Sequence, residues 1–341
     1  MALLRSGLIA AVAATVLMLA RTQLLAPLLA GLAMCGLASA DLIPIDRGEV
    51  EPKPFSYVAG TERYGAVDWL IEHHSDDRFS VDPRGPFRLL NVGLTYNLQE
   101  AAGYDSVSIW RVVNYFYLLN HGVPYPHLQL RDDLAATAIE RYGSPLVDLA
   151  NVRYAVAVVP PAAGWVERFR LSGSLHARAE PTWDPSLRVY ENPHVMPRAF
   201  VVYSADVLSS DAAQLSALAK LDPRRRAIVD RLPTPKPIGD GRPFTPAKLV
   251  RAEYDRLVID ADAAAGGLLV VSESFYPGWS AKVDGESVPL LRADYAFRGV
   301  AIKAGHHRVE MRFVSRPTEI GLALSALGFF AMLGMGLWRR K

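Results

Sequence analysis

Apolar and polar positions divide this chain into long apolar stretches at its ends and a mixed region between them. Residues 320–338 hold no charged side chain and are followed by Arg339, Arg340 and Lys341. As a helix this stretch spans roughly 28 Å, about one hydrocarbon thickness. Near the N-terminus residues 7–20 are apolar, Arg21, Thr22 and Gln23 interrupt, and residues 24–40 are apolar again. A single helix through both would be roughly 50 Å long with an arginine near its middle, too long and too costly for a bilayer. The pattern predicts a membrane span over residues 24–42, with 7–20 as the shortened remnant of a preceding span. Ala38-Ser39-Ala40 also has the small-x-small form of a cleavage site, so a cleaved signal is the alternative. Arg21 and the basic C-terminal trio place both ends in the cytoplasm and residues 43–318 outside it.

Between the spans the periodicity changes twice. Residues 43–54 carry Pro44, Pro52 and Pro54 among mixed charges, which reads as a stalk. In residues 55–163 helix and strand signals alternate: helices over 64–73, 108–120 and 145–151, strands over 87–92 and 154–159. That alternation predicts an α/β unit. From residue 164 short β-type runs dominate, at 187–191, 199–203, 257–260, 268–274, 279–283, 287–291, 297–302 and 308–313, with one helix over 211–221. Residues 233–246 hold Pro233, Pro235, Pro237, Pro243 and Pro246 with two glycines, and form a linker or loop. Asp284-Gly285 between two runs is a two-residue hairpin signal, since both positions tolerate positive φ. The fold expected is α+β: an α/β unit (55–163), then an antiparallel β-sandwich (164–318), flanked by N-terminal (1–42) and C-terminal (319–341) membrane segments.

Composition narrows the function classes. Half the residues are hydrophobic and 21% charged, which excludes a disordered chain. Lys and Arg total 37 against 35 Asp and Glu, a net charge of +2 with no dense basic run, so nucleic acid is not an expected partner. The single cysteine, Cys35, excludes a disulfide framework and a cysteine zinc cluster.

Familiar catalytic signatures are missing: no phosphate-cradling glycine loop, no nucleophile elbow, no His-Glu-x-x-His helix. In the pairs His73-His74 and His306-His307 adjacent side chains diverge, so neither is expected to chelate one ion, and no metal or cofactor is expected. Two clusters stand out. One is Tyr104 and Asp105 leading to Arg111. The other joins Glu273, Tyr276 and Trp279 to Arg292, Asp294, Tyr295 and Arg298. Flat apolar rings beside carboxylates and guanidinium groups suit a sugar, whose C–H faces stack while its hydroxyls hydrogen-bond. The alternative is a sheet edge in which the rings are core and the charges pair locally. The acidic residues near the membrane surface are Asp41, Asp46, Glu49 and Glu51 at one stalk and Glu319 at the other. Asp41, at the predicted membrane exit, is the best catalytic candidate of these, although an interfacial stop is its plainer role.

The same clusters carry a resemblance. In order along the chain stand Ala102-Gly103-Tyr104-Asp105-Ser106, Leu149-Ala150-Asn151-Val152-Arg153-Tyr154, Val189-Tyr190-Glu191-Asn192-Pro193 and Pro197-Arg198-Ala199-Phe200. Ser274-Phe275-Tyr276-Pro277-Gly278-Trp279, Arg292-Ala293-Asp294-Tyr295-Ala296-Phe297-Arg298-Gly299-Val300 and Gly305-His306-His307-Arg308-Val309-Glu310 follow. Over about residues 24–340 the set resembles the C-terminal part of the bacterial membrane protein YfhO family. That resemblance implies a relationship to multi-spanning glycosyltransferases that use polyprenyl-phosphate sugars at the outer membrane face. The family's presumed catalytic acidic residues lie in an early loop with no counterpart here, so none is carried over.

The expectation is a module of the bacterial inner membrane, displayed outside the cytoplasm, that assists surface-polysaccharide or lipid-linked sugar assembly without catalysing it. Its expected partners are membrane lipid, a lipid-linked sugar or surface glycan, and a multi-spanning membrane protein. A fragment of a glycosyltransferase and a ligand-free structural envelope protein are the alternatives.

Overall fold

A computed structural model describes residues 65–73, 77–84, 93, 96–102, 109–125, 138–170 and 188–338, with six scattered positions between 12 and 21. For residues 328–338 the backbone alone is described. The chain divides into two units, Met1–Arg63 and Tyr64–Lys341. The predicted N-terminal span, the stalk, the strand over 87–92, Asp41, Tyr104 and Asp105 all lie outside the described residues.

The second unit is α+β, and most of its ordered backbone lies in three sheets. The first sheet has the order β1 (Arg78–Val81), β2 (Val152–Ala157), β4 (Arg188–Glu191), β3 (Val166–Arg170). The pair β1–β2 is parallel and the others are antiparallel. Helix α1 (Gly65–His73) covers this sheet, placing Ala66, Val67 and Leu70 against Phe79, Val156 and Val189.

The second sheet has seven strands, in the order β6 (Ala205–Val207), β7 (Ala227–Val229), β14 (Leu291–Ala293), β15 (Phe297–Ile302), β11 (Gly267–Val271), β5 (Ala199–Val202), β8 (Thr245–Pro246). On one face, Phe200, Val202, Leu268, Val270 and Phe297 pack with residues of α2 (Trp110–His121), α3 (Pro145–Leu149) and α4 (Asp211–Leu218). On the other, Val201, Tyr203, Leu269, Val271 and Val300 meet the third sheet. Burial on both faces explains why β5 and β11 read as unbroken apolar runs; β15 is likewise buried throughout, although Arg298 interrupts its apolar residues. Each fully buried Val, Leu or Ile there contributes roughly 1.5–3 kcal/mol.

The third sheet has the order β13 (Glu286–Val288), β12 (Trp279–Val283), β16 (Gly305–Phe313), β10 (Arg256–Ala263), β9 (Lys248–Ala252) and is antiparallel throughout. Only one face meets the core. Val309 and Met311 of β16 and Leu257, Ile259 and Ala261 of β10 point inward, and the intervening Arg308, Glu310 and Arg312 point out. The hairpin β12–β13 turns at Asp284 (φ 51°) and Gly285 (φ 88°), the left-handed pair that the sequence predicts.

Two differences from expectation have simple causes. The run over 287–291 is broken into β13 and β14, because Pro289 cannot donate to a ladder. Strands β1, β3, β6, β7 and β9 are too short or too polar to stand out by periodicity, and β3 is exposed along most of its length. Beyond Phe313, α5 (Arg316–Trp338) begins after Val314 and Ser315, with Pro317 in its first turn where the missing N–H costs nothing. The sequence-predicted apolar stretch is therefore helical, and Ile320, Leu322, Leu324 and Leu327 are exposed on it. Among the described residues no helix is long and apolar enough to cross a membrane.

Candidate functional site

The candidate residues separate into two buried polar groups and one exposed aromatic end. The first group is a charged knot around Glu273. Arg78, at the start of β1, donates through Nη2 to Glu273 Oε1 at 2.7 Å, and Arg198 donates through Nε to the same oxygen at 2.8 Å. Arg78 also donates to the Ala150 carbonyl and the Ser272 hydroxyl. Arg298, only 5% exposed, donates through Nε to the Ser274 carbonyl, and its guanidinium lies 3.5 Å from the ring centre of Trp279. Burial works to raise the Glu273 pKa, but Arg78 and Arg198 outweigh it and hold the carboxyl below its usual range. Arg298 is pushed down to about 10 by burial.

The second group surrounds the turn between β14 and β15. Asp294 is fully buried at φ 46°, and its Oδ1 accepts from the Ile228 N–H at 2.8 Å. Desolvation, opposed only in part by the Ile228 hydrogen bond, lifts its pKa to about 7. Tyr295, also buried and at φ 70°, accepts from Asn114 Nδ2 at 3.1 Å. Arg111 and Arg292 both reach Asp211, at 2.8 and 3.3 Å, and the Arg111 guanidinium lies 5.1 Å from the Tyr295 ring centre. Glu273, Arg298, Asp294, Tyr295, Arg292 and Arg111 are thus bonded within the domain, in two places rather than one surface.

The exposed end is built differently. The loop Tyr276-Pro277-Gly278-Trp279 turns at Gly278, whose φ of 108° and close approach to Phe313 leave no room for a side chain: a Cβ there would lie 2.7 Å from the Phe313 ring. This brings Tyr276 and Trp279 against Phe313, at ring separations of 6.3 and 5.6 Å. Tyr276 is 49% exposed. Across the sheet, Phe313 N–H donates to the Asp255 carbonyl, so the β9–β10 turn lies at the same end. That turn carries Tyr254, 92% exposed. Phe313 is the last residue of β16, three residues before α5 begins. Tyr254, Tyr276 and Trp279 therefore gather where the chain passes from sheet to apolar helix. The sequence reading finds Tyr276 and Trp279 but misses Tyr254; its only signal is an aromatic between Glu253 and Asp255 in a turn.

His306 and His307 engage different carboxylates, Asp262 and Asp284, on opposite sides of β16. Among the described residues no group of His, Cys, Asp and Glu side chains could hold a metal ion.

An α+β domain continuous with an apolar helix, bearing an aromatic end beside that helix, is the class of protein these features define. Residues 244–325 match the family described as Bacterial membrane protein YfhO, and the match supports membership of that family. No curated protein and no solved structure matches the chain.

Proposed function

We propose that the chain is a membrane-anchored module displayed outside the cytoplasm, where it assists surface-polysaccharide or lipid-linked sugar assembly without catalysing sugar transfer. Membership of a bacterial membrane protein family supports a cell-envelope setting. One observation carries the finer reading: the apolar helix α5 leaves the sheet at the end that exposes Tyr254 and Tyr276 and holds the partly buried Trp279. Amphipathic rings are favoured at the level of lipid headgroups, where one edge is apolar and the other wet. In this reading the aromatic end rests on the bilayer, and Tyr276 and Trp279 meet the sugar that a lipid carrier presents there. Among the described residues that end supplies aromatic faces and no pair of convergent free carboxylates, which suits holding a sugar rather than transferring one.

Sidedness and ligand are tested separately. With Cys35→Ala as background, Ser287→Cys puts one thiol on the exposed β12–β13 hairpin. A membrane-impermeant maleimide labels it in intact spheroplasts if the reading is right, and labels it only after lysis if it is wrong. For the ligand, the full chain in detergent is mixed with lipid-linked oligosaccharide extracted from the source membranes. Tyr276→Ala lowers retention several-fold without moving the thermal transition; unchanged retention removes the sugar from the proposal.

A further inference from the structure

The outer face of the five-stranded sheet holds a cleft of about 460 Å³ at the same end as the aromatic residues. That volume lies within the range of small-molecule sites. Six charged side chains line it, three acidic and three basic, and they divide into neutralised and unengaged groups. Arg256 pairs with Glu310 at 3.1 Å, and Glu253 pairs with Arg251 at 2.5 Å. The remaining three, Asp255, Lys282 and Arg312, form no side-chain hydrogen bond or ion pair among the described residues.

Register brings the two free cations together. Ser280 of β12 lies opposite Arg312 of β16, and Lys282 lies opposite Glu310, so Lys282 is the diagonal neighbour of Arg312. Diagonal Cβ atoms in an antiparallel pair are roughly 7–8 Å apart, within reach of two long side chains closing on one tetrahedral anion. Across Arg312 lies Arg256, and Asp255, the residue before it and after Tyr254, also lines the cleft. Because the lining charges cancel, the cleft offers little attraction to a simple anion. It offers instead both signs of charge on neighbouring strands: the two cations Lys282 and Arg312, and the carboxylate of Asp255, which lies across from Phe313 and also feels the charge of Arg251.

We propose that this cleft binds the headgroup of a zwitterionic phospholipid of the phosphoethanolamine type. Lys282 and Arg312 take the phosphate, whose oxygens accept charge-assisted hydrogen bonds, and Asp255 accepts from the primary ammonium. The lipid source rests on the membrane seat argued above, since the cleft and Tyr254 share the end from which α5 departs. The charged residues of the cleft do not depend on that reading.

The test uses the full chain in a non-ionic detergent and short-chain lipids, followed by intrinsic fluorescence or calorimetry. Dihexanoyl phosphatidylethanolamine binds saturably. Dihexanoyl phosphatidylglycerol, which lacks the ammonium, and dihexanoyl phosphatidylcholine, whose quaternary nitrogen has no N–H to donate, bind at least five-fold more weakly. Combining Lys282→Ala with Arg312→Ala lowers affinity tenfold or more, and Asp255→Asn abolishes the preference for ethanolamine over glycerol. All three positions are exposed, so the thermal transition should not move. Equal affinity for the three lipids, or unchanged affinity in the double variant, overturns the site. Free phosphoethanolamine or inorganic phosphate binding as tightly as the lipid overturns the lipid source. Thiol labelling of Ser287→Cys reads the membrane seat independently, so failure of the cleft and failure of the proposed function are distinguishable.

Discussion

The knot around Glu273 and the aromatic end around Phe313 are joined by one side chain, Trp279, whose ring covers Arg298 of the knot and packs against Phe313 of the end. Both regions contain the same kinds of group: arginines, carboxylates and large rings. In the knot the carboxylate is held by Arg78 and Arg198, and Arg298 is shielded from water. At the end Tyr254 is almost wholly exposed, and Lys282 and Arg312 have no carboxylate partner among the described residues. Identical chemistry is structural where it is desolvated and paired, and available where it is solvated and unpaired. A residue type therefore nominates a site only together with its burial and its partners.

The sharpest way to break the contrast is Glu273→Ala. Three guanidinium groups would then share a largely buried site without their bonded carboxylate, only Arg78 still feeling the more distant Asp77, and loss of one partner from such a pair costs about 3–5 kcal/mol. Urea unfolding measures it, and a loss below 1 kcal/mol would mean that the knot is as solvated as the exposed end. Glu273 has a depressed folded-state pKa, so its contribution is present above the ordinary carboxylate range and is lost as pH falls through the folded value.

Asp294 gives the opposite slope. Its pKa rises from 3.8 to about 7 on folding, so stability falls as pH climbs from about 4 to about 7, by no more than about 4 kcal/mol. Asp294→Asn keeps the acceptor for the Ile228 N–H, tolerates the left-handed backbone and cannot ionise. The variant is expected to flatten the pH dependence of the melting temperature in that window. An unaltered slope would show that Asp294 is not desolvated.

Gly278→Ala acts on the exposed end. A methyl group there meets the Phe313 ring and a positive φ, at a cost of about 1–3 kcal/mol, and displaces Tyr276 and Trp279. Thermal unfolding reads the cost. Loss of oligosaccharide retention beyond what the lower stability explains would tie the loop shape to binding. Tyr276→Ala should be the mildest for stability, within about 0.5 kcal/mol, because half the side chain is already in water. A larger loss would make Tyr276 a core residue and erase the difference between the two regions.

Much of the scaffold was legible from spacing. Strands buried on both faces announced themselves as apolar runs, as in β5 and β11, and the half-exposed β16 announced itself by alternation. The Asp284-Gly285 hairpin followed from the need for two positive φ values. Strands β1, β3 and β7 did not, because they are short and take their stability from neighbours remote in sequence. The burial of the candidate residues was not legible: Tyr276 is exposed, Trp279 is partly buried against the core between the sheets, and Asp294, Tyr295 and Arg298 of the adjoining motif are interior.

What the sequence determined by itself is local: which segments are apolar, with what period, and where the chain must turn. A β-strand's burial pattern and a turn's φ requirement are written in consecutive residues, so no distant contact is needed to read them. Tertiary structure alone decided which polar residues are spent. Arg78 reaches Glu273 across nearly two hundred positions, and Asn114 reaches Tyr295 across a similar gap, while Tyr254 comes to share one end of a sheet with Trp279. The free energy of a charge depends on its solvent and its partners, and both are set by the fold rather than by neighbours in the chain.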